Sequence, residues 1–331
     1  MNPNQQAFYK GKKVLVAGGS GFVGSHFVLQ LLEQGAQVRV PVHFRAMELQ
    51  DPRIEIVNGD LTNPDDCLRM LKDIEIVVNA SGAVSAAGVD QIRHLEIIAR
   101  NLITSVRLIQ AAWIAGVERF LVLSSHTTYP AADYPIKEEE AWSGPPHPAY
   151  FSYSWMRRYV EKLGEFVHEK SKTKVAIVRP TAVFGEYDNF EPASCHVVPA
   201  LIVKAVSRMS PYQVWGTGDE VRDFAHVSDL VRGSLLVLEK HAICDPVNIG
   251  YGKTVTIKEV VQEVLKAADY SDATIVFDAS KPTTIPFRMV DTSKAKRLFG
   301  FEPSVTLADG LKRTVDWYRK ELAKGRKWKG H

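Results

Sequence analysis

Short apolar runs rich in β-branched residues alternate with amphipathic stretches over roughly the first half of the chain. The runs are apolar throughout, which is typical of strands buried in a parallel sheet. The stretches between them repeat apolar positions at helical spacing. The predicted strands are "KKVLVAG", "AQVRVPVHF", "RIEIVNGD", "IEIVVNASG", "RFLVLSS" and "KVAIVRP". This alternation predicts an α/β fold in which helices cover both faces of a parallel sheet.

The helices predicted between these strands carry recognisable end signals. The first, "FVGSHFVLQLLEQG", ends at Gly35. The second begins at "NPDD", where Asn63 is a cap residue and Pro64 takes the first helical position. Two long helices follow, one over residues 91–115 and one over residues 150–169.

The regular alternation ends after Pro180, where loops, short strands and helices interleave. Runs such as "VVPALIVKAVSR", "VSDLVRGSLLVLE", "PVNIG" and "TIKEVVQEVLKAA" indicate a smaller mixed α/β C-terminal lobe packed against the sheet. We therefore predict two domains, residues 1–180 and residues 181–331, with the chain free to cross between them.

Composition is that of an ordinary soluble globular protein, since 45% of the 331 residues are hydrophobic and 24% are charged. A net charge of +3 is too small to indicate a nucleic-acid partner. We expect no membrane partner, because no apolar run reaches the ~18 residues of a spanning helix and the N-terminus has no apolar signal region. Cys67, Cys195 and Cys244 show no metal-like spacing, so we expect no metal site and a reducing, cytoplasmic location.

A glycine-rich segment, "VLVAGGSGFVGSH", joins the first strand to the first helix. Glycine permits unusual dihedrals at such a turn and lets backbone N–H groups approach a pyrophosphate at the helix N-terminus. On the first strand–turn–helix unit of an alternating chain, this pattern indicates a dinucleotide site, the alternative being a glycine-rich turn without a ligand. The residues that we assign to the cofactor here are Gly18, Ser20, Gly21, Phe22, Val23 and Gly24.

The end of the second strand, "VPVHFR", bears on the choice of cofactor. NAD binding usually needs an acidic residue there to hold the ribose 2′-hydroxyl, and this stretch has none. His43 and Arg45 offer positive charge to a 2′-phosphate, so we predict NADP, with NAD as the alternative. In "GDL", next to Leu61, Asp60 is a candidate acceptor for the adenine amino group. The alternative for His43 and Arg45 is that both are solvated surface residues, and the alternative for Asp60 is that it is an ordinary turn or cap residue.

Several segments resemble motifs of the extended short-chain dehydrogenase/reductases that act on nucleotide sugars. "VLVAGGSGFVGSH" is similar to their cofactor loop, "NASG" to their strand-four motif and "LSSHTTYP" to their catalytic serine segment. "VRPTAVFGEYDNF", "VWGTGDEVRDFAHVSDLV" and "VNIGYGKTVTI" are similar to segments near the nicotinamide and in the sugar lobe. The resemblance implies a Rossmann-type doubly wound sheet with Ser125 as the catalytic serine. It also implies cofactor contacts from Ala80, Ser81, Gly82, Asn101, Tyr153, Arg157, Pro180 and Val183.

Tyr153 and Arg157 in "YSWMR" lie four residues apart on one face of a predicted helix. A tyrosine beside a reacting carbinol oxygen is a general acid/base if its pKa falls from about 10 toward neutrality. A cation one turn away helps to lower it, and that cation is arginine here, where the family usually has lysine. Arginine keeps its charge but cannot join a proton relay. Ser125 is expected to bond the same oxygen, and the alternative is that Tyr153 and Arg157 are surface residues.

Two further segments, "DNFEPASCHVVPALI" and "SKPTTIPFRMVDTSK", resemble those of the GDP-L-fucose synthases, a branch that combines epimerisation with reduction. In that branch a cysteine and a histidine exchange protons on the sugar ring. The resemblance carries the histidine to His196 and the cysteine to Thr127, whose hydroxyl cannot replace a thiolate as a base. It also puts Thr283 and Thr284 where an Asp-Gly pair is usual. These departures count against 3,5-epimerisation.

Arg222 and Arg288 are candidates for the substrate diphosphate, because a guanidinium fork matches phosphate oxygens; the alternative is a structural salt bridge. Asn189, His196 and Trp215 complete the predicted substrate residues. The residues after Ser125 are not acidic, which argues against the 4,6-dehydration of related enzymes. What remains is 4-epimerisation, or reduction of a keto sugar, on a nucleoside-diphosphate hexose, with a GDP-sugar favoured.

Three competing interpretations stay open. One is a catalytically idle NADP-binding protein, in which Arg157 marks the loss of activity. The others are a ketoreductase for a non-sugar substrate and a UDP-sugar 4-epimerase with tightly bound NAD. The two long helices resemble the pair that forms a dimer interface in the family, so we expect a homodimer. The candidate contacts are Ile97, Ile98, Leu102, Val106, Tyr159 and Phe166, and the alternative is that these residues face the sheet.

Overall fold

A computed structural model describes residues 8–83, 91–192, 194–281, 283 and 285–328. Its strands are β1 (Lys13–Ala17), β2 (Gln37–Val42), β3 (Ile54–Asn58), β4 (Ile76–Asn79), β5 (Arg119–Leu123), β6 (Lys174–Pro180), β7 (Ala182–Phe184), β8 (Tyr212–Trp215), β9 (Val221–Arg222), β10 (Phe224–His226), β11 (Val247–Ile249), β12 (Val255–Thr256), β13 (Ile275–Asp278) and β14 (Phe287–Arg288). Its helices are α1 (Phe22–Glu33), α2 (Pro64–Met70), α3 (Gln91–Ala115), α4 (Phe151–Lys170), α5 (Val197–Val206), α6 (Val227–Lys240), α7 (Ile257–Ala267), α8 (Ser293–Phe299) and α9 (Leu307–Ala323).

The central sheet has seven strands in the described part of the chain, in the order β11-β6-β5-β4-β1-β2-β3. Every neighbouring pair is parallel. All six predicted strands belong to it, which confirms the Rossmann-type α/β fold. The chain order reverses beside β1, which pairs with β2 on one side and β4 on the other. In doubly wound sheets, ligands bind at the carboxyl ends of the strands beside such a reversal.

Helices cover both faces of this sheet, each over its own hydrophobic layer. On one face, Phe27 of α1 and Leu235 of α6 belong to a single buried cluster with strand residues such as Val16. On the other, Ile109 of α3 and Val160 of α4 belong to a second cluster. Parallel strands buried on both faces need apolar side chains at every position, which explains the continuous apolar runs in the sequence.

Two segments that the sequence assigned to the smaller lobe are part of the larger domain instead, one as a strand of the central sheet and one as a helix packed on it. The "PVNIG" strand, β11, pairs with β6 as the seventh strand. The "VSDLVRGSLLVLE" helix, α6, packs on the sheet through residues such as Leu230 and Val231. The sequence pattern of such a segment does not indicate which part of the fold it packs against, because an apolar strand or helix face can pack on any apolar surface. The division at residue 180 stays a prediction, with both segments crossing back to the sheet.

The smaller lobe has a hydrophobic core of its own. Helices α5, α7 and α9 supply residues such as Leu201, Val260 and Leu311 to one buried cluster. Small sheets complete this lobe, with β13 pairing parallel to β8, and β9 lying between β12 and β14. The β9–β14 pairing sets Arg222 directly beside Arg288. This register brings two of the predicted substrate residues together.

The outer sides of α3 and α4 carry a strip of exposed apolar residues, here called the α3/α4 face. Ile98 and Leu102, predicted for an interface, pack instead into the core beneath the helices, because the core takes one stripe of each amphipathic helix. Ile97 and Val106 are half-buried, whereas Tyr159 is exposed. The exposed members of the face are Leu95, Ile103, Ile114, Phe151, Trp155, Tyr159 and Phe166. No helix in the described ranges is long and apolar enough to cross a membrane.

A buried ion pair joins helix α4 to the end of β6. Arg179 donates through Nε and Nη2 to the two carboxylate oxygens of Glu161, at 2.9 and 2.6 Å. The Ser124 hydroxyl, which follows β5, also donates to Glu161. Burial works to lower the pKa of Arg179, but the charge of Glu161 raises it above its usual value. The pair therefore holds α4 against the ends of β5 and β6.

The same ion pair reaches the seventh strand through a tyrosine. Arg179 donates through Nη1 to Tyr129 Oη at 3.1 Å. Tyr129 in turn donates to Asn248 Oδ1 of β11 at 2.6 Å. Burial raises the pKa of Tyr129 well above its usual value, so this hydroxyl stays protonated and serves as a donor. Four elements around the carboxyl end of the sheet are thereby linked.

We predict that Arg179→Met destabilises the protein by about 3–5 kcal/mol, because it leaves the Glu161 carboxylate buried without its cation. The measurement is urea unfolding at one fixed protein concentration. Lys162→Met is the control, since Lys162 forms an exposed pair with Glu165 on the same helix at 2.6 Å. That change should cost less than about 1 kcal/mol. Equal losses in the two variants would contradict the structural role of the buried pair.

Candidate active site

The glycine-rich loop between β1 and α1 is built for close backbone approach. Gly18 has a φ of +77°, which L side chains rarely adopt, and a Cβ there would lie 2.6 Å from the Ala80 carbonyl oxygen. A Cβ at Gly24 would lie 1.9 Å from the Gly18 carbonyl oxygen. No side chain caps α1 at Gly21. Because the first N–H groups of a helix have no intrahelical acceptor, this end of α1 presents backbone donors to an anion, as a bound dinucleotide requires.

The segment after β4 forms the facing wall of this loop. Ser81 donates from Oγ to Asn79 Oδ1 at 2.5 Å, which turns the chain away from the strand. Asn101 on α3 accepts from the Ala83 N–H at 2.9 Å and donates to the Ala83 carbonyl at 2.7 Å. The predicted cofactor residues Ala80, Ser81 and Asn101 thus belong to one hydrogen-bonded wall, in which Asn101 holds the backbone.

Tyr153 and Arg157 are in direct contact on α4. Arg157 donates from Nη2 to Tyr153 Oη at 2.7 Å, and its guanidinium carbon lies 4.9 Å from the centre of the tyrosine ring. Its Nη1 donates to the Leu123 carbonyl at the end of β5, at 2.9 Å. A Cβ at Gly82 would lie 3.3 Å from Nη2, so Gly82 leaves space for the guanidinium. The arginine therefore fixes the tyrosine hydroxyl against the carboxyl end of the sheet.

Ser125 lies two residues beyond the carbonyl that Arg157 binds, at the start of a short 3-10 helix. Its Oγ accepts from the Thr127 N–H at 3.1 Å and from the Thr127 hydroxyl at 3.0 Å. A hydroxyl offers one donor and two acceptor positions, so two accepted bonds leave the Ser125 proton to donate elsewhere. Thr127 thus directs the serine as a donor, an arrangement that sequence reasoning did not anticipate.

His126 connects this 3-10 helix to the strand that ends at Pro180. Its Nδ1 lies 3.0 Å from the Pro180 carbonyl oxygen, which requires the proton on Nδ1. Burial lowers the pKa of His126 to about 3, and the nearby charges of Arg288 and Arg222 add to the effect. The imidazole is therefore neutral and acts as a donor that positions Pro180.

Arg222 and Arg288 lie side by side on β9 and β14. Arg288 is 3% exposed and donates from Nη1 to the Pro130 carbonyl at 3.1 Å, while its buried Nε and Nη2 have no hydrogen-bond partner. Burial lowers the pKa of Arg288, and so does the charge of Arg222. No ion pair with Arg288 is formed within the described ranges, so the salt-bridge alternative does not hold for it. Arg222 donates to the carbonyls of Val221 and Ile285, at 2.8 and 2.5 Å.

The end of β2 carries more charge than the sequence indicated. His43 Nδ1 lies 3.7 Å from Asp60 Oδ2, and Arg100 of α3 approaches both residues, at 3.4 and 3.9 Å. Asp60 also accepts from the Thr62 N–H at 2.9 Å, as its turn interpretation requires. Burial works to raise the pKa of Asp60, but the Thr62 hydrogen bonds and the nearby His43 and Arg100 side chains lower it. Arg100 was missed, although it directly precedes Asn101 in the sequence.

Arg45 is the second predicted cation at this edge. Its Nη2 makes a single contact with Glu48 Oε1 at 3.1 Å, so it is not simply solvated. The predicted cofactor residues Val183 and Leu61 are partly buried, and each packs against a different hydrophobic layer of the sheet.

His196 contacts a carboxylate of the smaller lobe. It precedes α5, its side chain is 54% exposed, and its Nδ1 is 3.9 Å from Asp188 Oδ1. The carboxylate of Asp188 raises the pKa of His196. Within the described ranges, no hydrogen bond or ion pair links His196 to Tyr153. Burial raises the pKa of Cys195 to about 11, so this neutral thiol is not a base at neutral pH.

The remaining predicted substrate residues line the smaller lobe. Asn189 donates from Nδ2 to Ser194 Oγ at 2.9 Å, which closes the loop before α5. Trp215 ends β8 with its side chain 48% exposed, an unusual position for a tryptophan without a partner surface. Thr283 lies close to Gly216, whereas Thr284 falls outside the described residues. The described residues hold no cluster of three His, Cys, Asp or Glu side chains placed to bind a metal.

Known proteins match this chain over nearly its whole length. The NAD dependent epimerase/dehydratase family matches residues 14–250. A probable GDP-L-fucose synthase 1 of Oryza sativa subsp. japonica is 32% identical over 96% of this chain and 95% of its own length. A dTDP-4-dehydro-6-deoxy-D-allose reductase of Streptomyces sp is 30% identical over 94% of this chain and 97% of its own.

A solved structure agrees with these matches. The UDP-glucose 4-epimerase of Thermotoga maritima, crystallised with UDP-glucose, superposes with a TM-score of 0.83 at 26% identity, over 94% of this chain and 99% of that one. The resemblance to extended short-chain dehydrogenase/reductases, including GDP-L-fucose synthases, is thereby confirmed. With the glycine loop and the sheet topology in agreement, this chain belongs to the NAD-dependent epimerase/dehydratase family of nucleotide-sugar enzymes.

Proposed function

We propose that the protein is an NADP-dependent epimerase or ketoreductase that transfers hydride at C4 of a nucleoside-diphosphate hexose, with a GDP-sugar favoured. The observation that carries the proposal is the 2.7 Å hydrogen bond from Arg157 to the Tyr153 hydroxyl, formed at the carboxyl end of β5 beside Ser125. A helix-surface tyrosine without a chemical role has no need of a buried cation aimed at its oxygen. The contact supports an active enzyme over an idle binding protein.

Each residue of this group has a distinct task in the proposed reaction. A nicotinamide cofactor, when bound, supplies or accepts the hydride. Tyr153 gives or takes the proton of the sugar hydroxyl, and the Arg157 guanidinium stabilises its phenolate form. Ser125 donates its free proton to the same sugar oxygen, which polarises a carbonyl there. Arginine cannot release a proton, so Tyr153 cannot exchange its proton through residue 157 as it could through the lysine that is usual in the family. The proton of Tyr153 has to be exchanged by another route.

Arg288 and Arg222 are proposed to hold the substrate diphosphate. Two adjacent guanidinium groups repel each other, and the buried Nε and Nη2 of Arg288 have no hydrogen-bond partner, so this place favours an anion. A diphosphate satisfies the free Arg288 donors and neutralises the repulsion between the two cations. Trp215, exposed at the end of β8, is a candidate stacking surface for the nucleotide base.

Thr127 favours reduction over 3,5-epimerisation within this proposal. Its hydroxyl is bound to Ser125 Oγ, and a threonine at this place cannot abstract a ring proton. His196 is turned to Asp188 and has no thiolate partner. The relative named as a dTDP-4-dehydro-6-deoxy-D-allose reductase supports a 4-ketoreduction without that epimerase step. A UDP-sugar 4-epimerase with tightly bound NAD is the second candidate, supported by the Thermotoga structure.

We predict that Tyr153→Phe lowers turnover by about 10²–10⁴-fold while cofactor affinity stays nearly unchanged, because only the proton donor is lost. The assay follows cofactor oxidation with GDP-, UDP-, CDP- and dTDP-linked 4-keto sugars, and product analysis with the corresponding hexoses detects epimerisation. Tyr159→Phe on the exposed side of the same helix is the control. If no sugar in the panel reacts with the parent protein, or if Tyr153→Phe is fully active, the proposed function fails.

The charge at residue 157 should govern the pH dependence of the same reaction. Arg157→Lys is expected to keep or raise activity, because it restores the family's usual cation. Arg157→Met removes the cation that stabilises the phenolate, so the limb of the pH–rate profile that reports the tyrosine should move to higher pH. This is the falling limb for reduction of a 4-keto sugar and the rising limb for oxidation of the sugar hydroxyl. Profiles of all three proteins on one substrate make the comparison. A profile for Arg157→Met that overlays the parent would show that the guanidinium has no electrostatic role.

NADP is expected to bind more tightly than NAD, because Arg45 and Arg100 both lie at the edge that receives the 2′-phosphate. Arg45→Ala should reduce this preference about tenfold by removing one charged hydrogen bond. Calorimetric titration with each cofactor gives the two dissociation constants. Arg53→Ala is the control, since that exposed arginine pairs with Asp51 at the start of β3. Tighter binding of NAD by the parent protein would refute the cofactor assignment.

The α3/α4 face is proposed as the interface of a homodimer. Seven large apolar residues on two adjacent helices exceed what a monomer usually exposes in one patch. Tyr159→Asp places a charge in the middle of this face and should yield monomers at micromolar concentration in size-exclusion light scattering. Leu322→Asp, an exposed apolar position on α9, is the control. A monomeric parent protein at the same concentration would exclude the dimer.

A further inference from the structure

The chain beyond α9 returns to the edge of the sheet that is proposed to select the cofactor. The Arg326 N–H binds the Glu321 carbonyl, and its guanidinium carbon lies 5.4 and 5.0 Å from the ring centres of Trp317 and Trp328. Contact with two indole rings restricts the orientation of a guanidinium. Arg326 is therefore a fixed cation on a segment that is remote in sequence from the second strand.

Arg326 binds Glu48, the residue that also contacts Arg45. Its Nη1 donates to Glu48 Oε2 at 2.9 Å and its Nη2 to Glu48 Oε1 at 2.8 Å. This two-point contact uses both carboxylate oxygens, whereas Arg45 makes one contact of 3.1 Å with Oε1. Side-chain exposure is 20% for Arg326 and 36% for Arg45. Glu48 is thus held mainly by the tail, and Arg45 stays at the surface with most of its N–H groups available.

The charge at this edge depends on Arg326. Its Nη1 also donates to Glu321 Oε2 at 3.2 Å, and Glu321 pairs with Lys324. The linked side chains of Arg45, Glu48, Arg326, Glu321 and Lys324 together carry a net charge of about +1, and without Arg326 they are neutral. A 2′-phosphate carries nearly two negative charges at neutral pH. With Arg326 present, the 2′-phosphate therefore approaches a site of net positive charge. Without Arg326, the carboxylate of Glu48 has only Arg45 as its partner, so Arg45 is less available to the phosphate.

We propose that Arg326 and Glu48 form a cofactor-selecting clamp, in which the tail neutralises Glu48 and so releases Arg45 to bind the 2′-phosphate of NADP. The inference rests on the proposed role of Arg45 and deepens it. Arg326 is a positioning residue that acts through Glu48. The preference for NADP then depends on a contact between the C-terminal segment and the second strand, not on the residues of that strand alone.

The test measures the dissociation constants of NADP and NAD by calorimetry for the full-length protein and a set of variants. Arg326→Ala should lower the preference for NADP about two- to fivefold, with NAD affinity unchanged, as expected for a partly exposed charge pair. Glu48→Gln should raise the preference, because Arg45 loses its competing acceptor. In the Glu48→Gln background, Arg326→Ala should have no further effect, since the clamp acts only through Glu48.

Two further variants separate charge from folding. Arg326→Lys keeps the charge and should keep most of the preference, which a purely structural role of the guanidinium fork would not allow. Lys312→Ala removes a cation of α9 that pairs with Asp316, at 3.4 Å, and should leave the preference unchanged. The effect of Arg326→Ala should also shrink in about 0.5 M salt, where exposed charges are screened.

The outcomes distinguish the clamp from the cofactor assignment. If Arg45→Ala reduces the NADP preference and Arg326→Ala does not, the clamp is overturned and the assignment stands. If Arg326→Ala weakens both cofactors equally, or acts equally in the Glu48→Gln background, the tail has only a structural role and the clamp is overturned. If Arg45→Ala leaves the preference unchanged, the proposed role of Arg45 fails, and the clamp fails with it.

Discussion

The buried ion pair of Glu161 and Arg179 is the contact on which the geometry of the site depends. The Glu161 carboxylate accepts a hydrogen bond from the Ser124 hydroxyl, and the Arg179 guanidinium donates to the Tyr129 hydroxyl. Tyr129 in turn donates to Asn248 on the seventh strand. In a low-dielectric interior these charges are stable only together, so the elements that carry them are held in one arrangement. Ser125 follows Ser124 directly, and Tyr153 lies two helical turns before Glu161. The buried ion pair and its hydrogen bonds therefore fix the position of Ser125 relative to Tyr153.

Above this layer, positive charge is distributed in a way that suits an anionic cofactor and an anionic substrate. The start of α1 offers backbone N–H groups, the tyrosine site has Arg157, and the smaller lobe has Arg288 and Arg222. The cations at the two ends differ in how far protein oxygens satisfy them. Arg157 donates to two oxygens and keeps one buried donor, Nε, without a partner, whereas Arg288 donates to one oxygen and keeps two buried donors, Nε and Nη2. Arg288 therefore has the greater unmet capacity to bind an anionic ligand.

The replacement of lysine by arginine at position 157 also has a structural explanation. A guanidinium can contact Tyr153 Oη and the Leu123 carbonyl at once, because its planar fork presents several donors. Gly82 leaves room for the larger group. The substitution thus fits its surroundings, which favours an adapted site over a decayed one. On a different segment, the 3-10 helix after β5, Thr127 donates its hydroxyl to Ser125 Oγ.

The sequence by itself determined the elements whose signals are local. Continuous apolar runs marked the six parallel strands, the Gly18–Gly24 loop marked the dinucleotide site, and the four-residue spacing joined Tyr153 to Arg157. Tertiary structure alone decided which distant segments meet: β11 at the sheet edge, Arg100 beside His43, Arg222 beside Arg288, and Arg326 on Glu48. The reason is physical, because backbone periodicity and turn chemistry act over a few residues, whereas an apolar face or a surface charge carries no information about its partner until the chain has packed.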